Sequence, residues 1–262
     1  MDLTAHSSGA ESPAGRAVSA PQTMASQVMN HVRDAIQGGE MSSGTWYSVY
    51  QLSEQLGISR SPVRDGLLRL EEAGLIEFVR NRGFRVVEPQ PEDVADIFEL
   101  RLSIEPPAAA RAARDRSEDE LAEMKNIAAQ MQRAVESGDE ATFFAWDQLL
   151  HDAILAAGHS RRGRDILATL RTHTRLLSDS TVRRFRSLEQ VHSEHLPVIE
   201  AIARQDPELA RAEMAAHIRA TGLLLLRQNV LKRNPELDER AAGTQADAIW
   251  ARYTSRPEKA KA

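Results

Sequence analysis

Apolar residues recur at helical spacing along most of this chain, and short β-prone runs occur in one region only. The first periodic segment, 24–37, predicts a helix with four residues on its apolar face: Val28, Met29, Val32 and Ile36. A shorter helix is predicted to end at Leu56, with Ser48 as its N-cap. Gly57 then suits a tight turn into a third helix.

The third predicted helix lies within 59–74 and has two contrasting faces. The apolar face comprises Val63, Leu67, Leu70 and Ala73. The basic face comprises Arg60, Arg64 and Arg69. This pattern after a tight turn is typical of the helix that enters the major groove in a helix-turn-helix. The alternative interpretation is an ordinary helix with a solvated arginine face. Gly66 lies inside this helix, where glycine costs up to about 1 kcal/mol relative to alanine.

Two β-prone runs follow at 75–79 and 84–87, separated by Arg80-Asn81-Arg82-Gly83. Short β-prone runs around an Asn/Gly turn predict a hairpin. A hairpin directly after a helix-turn-helix is a wing, and arginines at its tip can reach phosphates or the minor groove. The alternative is a structural appendage that does not touch DNA.

After Pro89-Gln90-Pro91 the pattern is helical throughout. The first helix opens at Glu92, and Pro106-Pro107 is expected to break or kink it before 108–114 resumes. Five more helices are predicted over approximately 117–136, 139–157, 164–178, 187–204 and 207–232. Helices of these lengths predict an antiparallel bundle.

The predicted fold class is therefore mainly α, with an N-terminal winged helix-turn-helix and a C-terminal all-α antiparallel helical bundle. The expected divisions are a disordered tail, a DNA-binding domain, a linker, a helical domain and a C-terminal tail, over 1–23, 24–88, 89–91, 92–232 and 233–262. Within the C-terminal tail, which is expected to be loosely held, a short helix at 246–253 is the alternative.

Composition narrows the classes of function. The 262 residues include no cysteine, which excludes disulfides, zinc-thiolate sites and thiol nucleophiles. No apolar run reaches the ~18 residues of a membrane span, and the N-terminus lacks the apolar core of a signal peptide. We therefore expect a cytoplasmic location and no membrane partner. The net charge is −5, yet six arginines face four acids between Ser59 and Arg85, a local basic excess that suits DNA.

One carboxylate and three imidazoles form the second candidate site. Asp147 and His151 are spaced i, i+4 and share one helix face with apolar neighbours. His195 and His217 lie on two later helices, again among apolar residues. Bundles build metal sites from such facing side chains, and this donor set suits zinc, nickel or manganese. The alternative is that each histidine of the set is a surface or satisfied core residue. Three other histidines, His159, His173 and His192, are interpreted as surface residues.

Residues 24–88 resemble the winged helix-turn-helix of the GntR family of bacterial transcription regulators. The resemblance is carried by three segments: Leu52 to Leu67 with Ser59-Arg60-Ser61-Pro62-Val63-Arg64, Leu70 to Ile76, and Asn81-Arg82-Gly83. It implies that the following residues contact DNA: Arg60, Ser61, Arg64, Arg82 and Gly83. Asp65-Gly66 departs from the usual Glu-Ala, and Trp46-Tyr47 departs from the usual Pro-Gly-containing connector.

Residues 92–230 resemble the FCD effector domain that defines the FadR subgroup of that family. The matching segments are 101–105, 147–151, 194–202 and 214–218, and they fill all four metal-ligating positions of the metal-binding members: Asp147, His151, His195 and His217. Pro197 departs from the pattern and is expected to disfavour helix at Leu196 and shift His195. The resemblance also implies a small organic acid beside the metal, with its carboxylate bound by Arg101 or, on another helix, Arg175.

Two classes of function follow. The first is a DNA-binding transcription regulator, expected to be a repressor and not an enzyme, that binds a palindromic operator as a homodimer and responds to an effector in its helical domain. The alternative is a metal-dependent hydrolase with an accessory DNA-binding-like domain, although no general base or nucleophile motif accompanies the four ligands. A helical scaffold protein would leave Arg60, Arg64 and Arg82 unexplained.

Overall fold

The fold begins with a small mixed head and continues as a set of packed helices. The computed structural model describes residues 23–38, 40–79, 82–87, 90–177, 180–182 and 185–254, and these form ten helices and three strands. Their bounds are α1 (Met24–Gln37), β1 (Trp46–Tyr47), α2 (Val49–Leu56), α3 (Arg60–Glu72), β2 (Ile76–Val79), β3 (Gly83–Val86), α4 (Pro91–Asp115), α5 (Glu118–Ser137), α6 (Glu140–Ala157), α7 (Arg161–Leu177), α8 (Leu188–Ala203), α9 (Pro207–Arg233) and α10 (Glu239–Thr254). The mainly helical fold class is confirmed.

In the head, α1 packs against α3, and local signals set the ends of the short helices. Ser48 caps α2, and Gly57 ends it with a φ of 62°, a left-handed conformation that suits glycine. The predicted apolar stripe of α3 is buried. Gly66 is required by the packing of the head, although glycine is a poor helix former. A Cβ at this position would lie 2.7 Å from the Ala25 carbonyl oxygen, so glycine permits the close approach of α1.

The wing is a three-stranded sheet with the order β1-β3-β2. The predicted hairpin pairs antiparallel, with Phe78 opposite Phe84. β1 was not predicted, because Trp46 and Tyr47 alone are too short a run to indicate a strand. The backbone N–H of Phe78 donates to the Glu71 side chain over 2.8 Å, which ties the wing to the end of α3.

Helix α4 crosses the helical domain without a break, so, of the break or kink expected at Pro106-Pro107, the break is wrong. Each proline removes one backbone hydrogen bond but keeps a helical φ. Pro106 is buried, and along its length α4 contacts α6, α7, α8, α9 and α10. Tertiary packing on several sides offsets the local cost, because packing decides most helical stability in proteins.

Helix α8 likewise continues through Pro197, so this residue does not displace His195 from a helical position. Ser187 and Gln190 form a capping box at its start. Its buried residues lie on both sides of the proline and include Val191, Val198 and Ile202. The same compensation by packing therefore applies here.

The expectation of a loosely held C-terminal tail is also wrong, because α10 packs against α9 and α4. Trp250 is 2% exposed, and its ring centroid lies 6.4 Å from that of Phe98. A Cβ at Gly222 would lie 2.4 Å from the Trp250 ring, so this glycine makes room for the indole. The helix is twice as long as the predicted alternative at 246–253.

Some expectations concern residues outside the described part. They concern the predicted disordered tail as far as residue 22 and Arg80 and Asn81 at the wing tip. They also concern residues 88–89, where the DNA-binding domain is predicted to meet the linker, and residues 255–262. None of the described helices is long and apolar enough to span a membrane.

Candidate metal centre and DNA interface

Three helices bring the four predicted metal ligands together. Asp147 and His151 come from α6, His195 from α8 and His217 from α9. One ligand atom from each residue lies within 4.8 Å of all the others, and all four residues are buried. Because α6, α8 and α9 are separated along the chain, this cluster exists only in the folded domain.

Distances within the cluster show how tightly it is packed. Asp147 Oδ1 lies 2.8 Å from His195 Nε2 and 3.8 Å from His151 Nε2. The His195 and His217 ring centroids are 4.3 Å apart, and the His151 ring lies within 5.5 Å of both. The carboxylate therefore faces the imidazole nitrogens at the spacing of atoms that share one small cation.

Hydrogen bonds determine which nitrogen of each ring faces the centre. His195 Nδ1 donates to the Val191 carbonyl over 2.8 Å, and His151 Nδ1 hydrogen-bonds the Glu105 carboxylate. In the neutral rings Nε2 then carries a lone pair, and both Nε2 atoms are buried without a hydrogen-bond partner in the described chain. Lone pairs on His195 Nε2 and Asp147 Oδ1 at 2.8 Å repel unless a proton or a metal ion lies between them. The residues therefore fit a metal ion.

Two arginine–glutamate pairs stand behind two of the histidines. Glu105 binds His151 with one oxygen and accepts from Arg101 Nε with the other, over 2.7 Å. Glu194 Oε2 lies 3.3 Å from His217 Nδ1, and both Glu194 oxygens accept from Arg186 over 2.9 and 2.7 Å. Carboxylates behind metal-binding imidazoles orient the rings and raise their basicity.

Arg101 differs from its expected role as the binder of an effector carboxylate. Its side chain is buried, and its guanidinium is held by Glu105 and stacked 4.9 Å from the Phe98 ring. The resemblance to the FCD domain drew attention to residues 101–105 as a motif, and the internal i, i+4 ion pair within that motif was missed.

Arg171 was missed altogether. It lies on α7 and donates a hydrogen bond to Oδ2 of Asp147, the carboxylate of the metal cluster. The sequence does contain one indication of its position. Arg171 lies one helical turn after Leu167, which is buried, so the two residues share the inward face of α7. The predicted Arg175 lies one turn further along α7 and is exposed.

The three histidines that were interpreted as surface residues differ in burial. His159 is exposed as expected, and His173 is half-buried. His192 is buried, contrary to the expectation of a surface residue, and its Nε2 donates to the Ala128 carbonyl over 3.1 Å. It is a satisfied core histidine on the side of α8 that packs against α5.

Burial and neighbouring charges set the protonation of the cluster. Burial lowers the pKa of His151 to about 4, and burial together with the other two rings lowers the pKa of His217 well below its ordinary value. Burial alone would raise the pKa of Asp147, but Arg171 and the neighbouring histidines hold that pKa well below its usual range. An ionised carboxylate beside His151 and His217, whose lowered pKa values favour the neutral ring, suits the binding of a metal ion.

The predicted DNA-contacting residues lie on α3 and the wing. Arg60, Ser61 and Arg64 are exposed at the start of α3, and Arg82 is exposed at the wing. Gly83 is half-buried with a φ of 98°, and a Cβ there would lie 2.1 Å from the Tyr47 carbonyl oxygen. The glycine therefore permits β1 and β3 to approach each other.

Two family models match the chain in the same order as these two parts. The model of bacterial regulatory proteins of the gntR family matches residues 24–86, and that of the FCD domain matches residues 96–220. A gntR-type head joined to an FCD domain defines a DNA-binding transcription regulator. The chain belongs to the GntR family, and its FCD domain is consistent with the FadR subgroup.

Relatives with curated names support this assignment. A probable D-xylose utilization operon transcriptional repressor of Paenarthrobacter nicotinovorans is 26% identical over 76% of this chain and 87% of that protein. The regulator LutR of Bacillus subtilis is 28% identical over 70% of this chain and 92% of that protein. The solved structure of Escherichia coli McbR/YncC has a TM-score of 0.59 at 23% identity, covering 79% of this chain and 98% of that one, and so shares the fold. These relatives are regulators, so the hydrolase alternative finds no support.

Proposed function

We propose that this regulator binds a palindromic operator as a homodimer and represses transcription until a divalent metal ion and a small carboxylate occupy its helical domain. The observation that carries the proposal is the buried cluster of Asp147, His151, His195 and His217, whose ligand atoms converge within 4.8 Å. Because the cluster is buried and lies in the domain that does not resemble a DNA-binding head, it is suited to control rather than to contact with the operator.

The donor set of three imidazoles and one carboxylate suits zinc, nickel or manganese, with zinc and nickel favoured by nitrogen donors. When bound, the ion supplies a positive charge that attracts an acidic effector. His195 and His151 are pre-oriented for it by their Nδ1 hydrogen bonds, so little side-chain freedom is lost on binding.

We assign the recognition of the effector carboxylate to Arg171 rather than Arg101. Arg171 already holds one carboxylate of the cluster, that of Asp147, and a guanidinium matches a second carboxylate in the same way. Arg101 is paired with Glu105, which is not one of the proposed ligands, whereas Arg171 contacts the proposed ligand Asp147 directly. Arg175 lies one turn beyond Arg171 and serves only an acid long enough to reach it.

The proposal is tested by fluorescence anisotropy with a labelled duplex from the region upstream of the protein's own gene. Protein stripped with EDTA is compared with protein reloaded with zinc, nickel or manganese, each with and without a panel of small carboxylic acids. We expect one metal and acid combination to weaken sequence-selective binding in the native protein but not in His151→Ala. If stripped and reloaded proteins bind equally with every acid, metal and effector control is wrong, while DNA binding itself stands.

A further inference from the structure

Three exposed arginines of the head differ from most arginines of the protein in their surroundings. In the described part of the chain, Arg60, Arg64 and Arg82 have no carboxylate partner, and each guanidinium instead lies over an aromatic ring. Arg85 shows the contrast, because its guanidinium also lies 5.7 Å from the Trp46 ring centroid but Glu77 accepts from it over 2.9 and 2.6 Å. An arginine held by a carboxylate has its charge neutralised and some of its donors occupied.

Each ring comes from a different element near α3 or the wing. The Cζ atom of Arg60 lies 5.1 Å from the Tyr50 ring centroid, and Tyr50 belongs to α2. The Cζ atom of Arg64 lies 5.7 Å from the ring centroid of Phe78 on β2, and that of Arg82 lies 5.7 Å from the ring centroid of Trp46 on β1.

Two of the rings are fixed by the fold. Phe78 is anchored by its N–H bond to Glu71 and packs against Phe84, with ring centroids 6.2 Å apart. Trp46 is held in the sheet by pairing with β3.

A ring holds a guanidinium through its face and leaves the N–H donors free. All five donors of the arginine then stay available for phosphates and base edges. Since an ordered side chain loses less conformational freedom on binding, a stacked arginine binds DNA more tightly than a freely rotating one. The ring also leaves the positive charge in place, which a carboxylate would not.

We propose that Tyr50, Phe78 and Trp46 are positioning residues of the DNA interface, which hold Arg60, Arg64 and Arg82 ready for the operator. The inference rests on the proposed DNA contacts of those three arginines and is independent of the metal and effector. Removal of one ring lowers operator affinity about 2- to 10-fold, the range expected for the lost order of one long side chain. The number of phosphates neutralised does not change, so the salt dependence of binding is preserved.

Tyr50 offers the cleanest test, because its side chain is half exposed and Leu keeps its apolar bulk without an aromatic face. The probe is the tightest-binding duplex that the full-length protein selects from a random-sequence pool. Anisotropy titrations at several salt concentrations compare the native protein with Tyr50→Phe, Tyr50→Leu, Arg60→Ala and the Tyr50→Leu/Arg60→Ala double variant.

We expect Tyr50→Phe to bind like the native protein and Tyr50→Leu to bind about 2- to 10-fold more weakly with an unchanged salt slope. Arg60→Ala is expected to lower the slope by about 1 if it neutralises one phosphate, and the double variant to bind no worse than Arg60→Ala. Full affinity in Tyr50→Leu, or an undiminished Tyr50→Leu effect in the Arg60→Ala background, overturns the inference. Native behaviour of Arg60→Ala instead overturns the proposed DNA contact, and with it the role of Tyr50.

Discussion

Glu105 and His151, 46 positions apart in the sequence, are joined by a buried hydrogen bond between the carboxylate and the imidazole Nδ1. The bond leaves Nε2 of His151 directed at Asp147, 3.8 Å from its Oδ1. Glu105 is in turn held by Arg101. A residue on α4 thus determines how a residue on α6 presents its lone pair to the proposed metal ion.

Glu105→Gln is therefore expected to weaken metal binding about 10- to 100-fold, the usual effect of losing a carboxylate behind a ligating histidine. Gln keeps the shape of the side chain but removes the charge that orients His151 and neutralises Arg101. Competition with a chromophoric zinc chelator measures the affinity. Asp96→Asn, at an exposed position of the same helix, is the matched control. Equal zinc affinity in the two variants would contradict the assignment.

The stability of the metal-free protein is expected to fall on acidification. Burial lowers the pKa of His151 to about 4, whereas an unfolded histidine takes up its proton near pH 6.5. Between these values the unfolded state binds more protons, so the free energy of unfolding falls by about 2 kcal/mol between pH 6.5 and 5 from this residue alone. Asp147 and Glu105, whose pKa values are held low, add a loss in the same direction as pH falls through the range in which unfolded carboxylates protonate.

Urea unfolding in EDTA at pH 5 to 7 measures this dependence. His151→Gln is expected to flatten the profile, while His159→Gln, at an exposed position, leaves it unchanged. Identical profiles for the native protein and His151→Gln would show that His151 protonates equally in both states.

Gly66→Ala is expected to destabilise the head, although alanine is the better helix former. The new Cβ would lie 2.7 Å from the Ala25 carbonyl and 2.9 Å from Val28 Cβ, so α1 must move. Overpacking of this kind costs about 1–3 kcal/mol. Gly243→Ala on α10 meets nothing within 4 Å and is expected to stabilise by about 0.4–1 kcal/mol. Chemical unfolding of both variants measures whether each substitution raises or lowers the free energy of unfolding. A Gly66→Ala variant more stable than the native protein would refute the close approach of α1 to α3.

Trp250→Ala is expected to cost about 3–5 kcal/mol, the range for removing a large buried aromatic side chain. Trp250→Phe is expected to retain most of the stability, because the indole Nε1 has no hydrogen-bond partner among the described residues. Thermal unfolding of the full-length variants distinguishes the two. A loss below 1 kcal/mol in Trp250→Ala would mean that α10 is not part of the folded core.

Local signals in the sequence predicted the parts of the fold that depend on nearby residues. The pair Asp147 and His151 could be placed on one helix face because i, i+4 spacing fixes the angle between side chains. Arg171 could not be added to them, because its contact with Asp147 depends on how α7 packs against α6. Glu105 was missed for the same reason, since its partner His151 belongs to another helix.

Helix propensity alone also gave wrong expectations at three places. Pro106-Pro107 and Pro197 were expected to disturb their helices, yet both helices continue because packing around them outweighs the lost hydrogen bonds. Gly66 looked like a weak point within α3, whereas its missing side chain is what α1 requires. In each case a tertiary contact outweighed the local helix propensity, and a short stretch of sequence does not reveal such a contact.

The unbroken α4 also connects the proposed metal centre with the start of the helical domain as a stiff rod. Fourteen residue steps separate Glu105 from Pro91, a length of about 21 Å at the helical rise. A tilt of about 5° about Glu105 displaces Pro91 by about 2 Å over that length. Pro91 directly follows the segment that leads from the DNA-binding head. A tilt too small to disturb the coordination of an ion near Glu105 therefore displaces the head far enough to misalign it with the DNA groove.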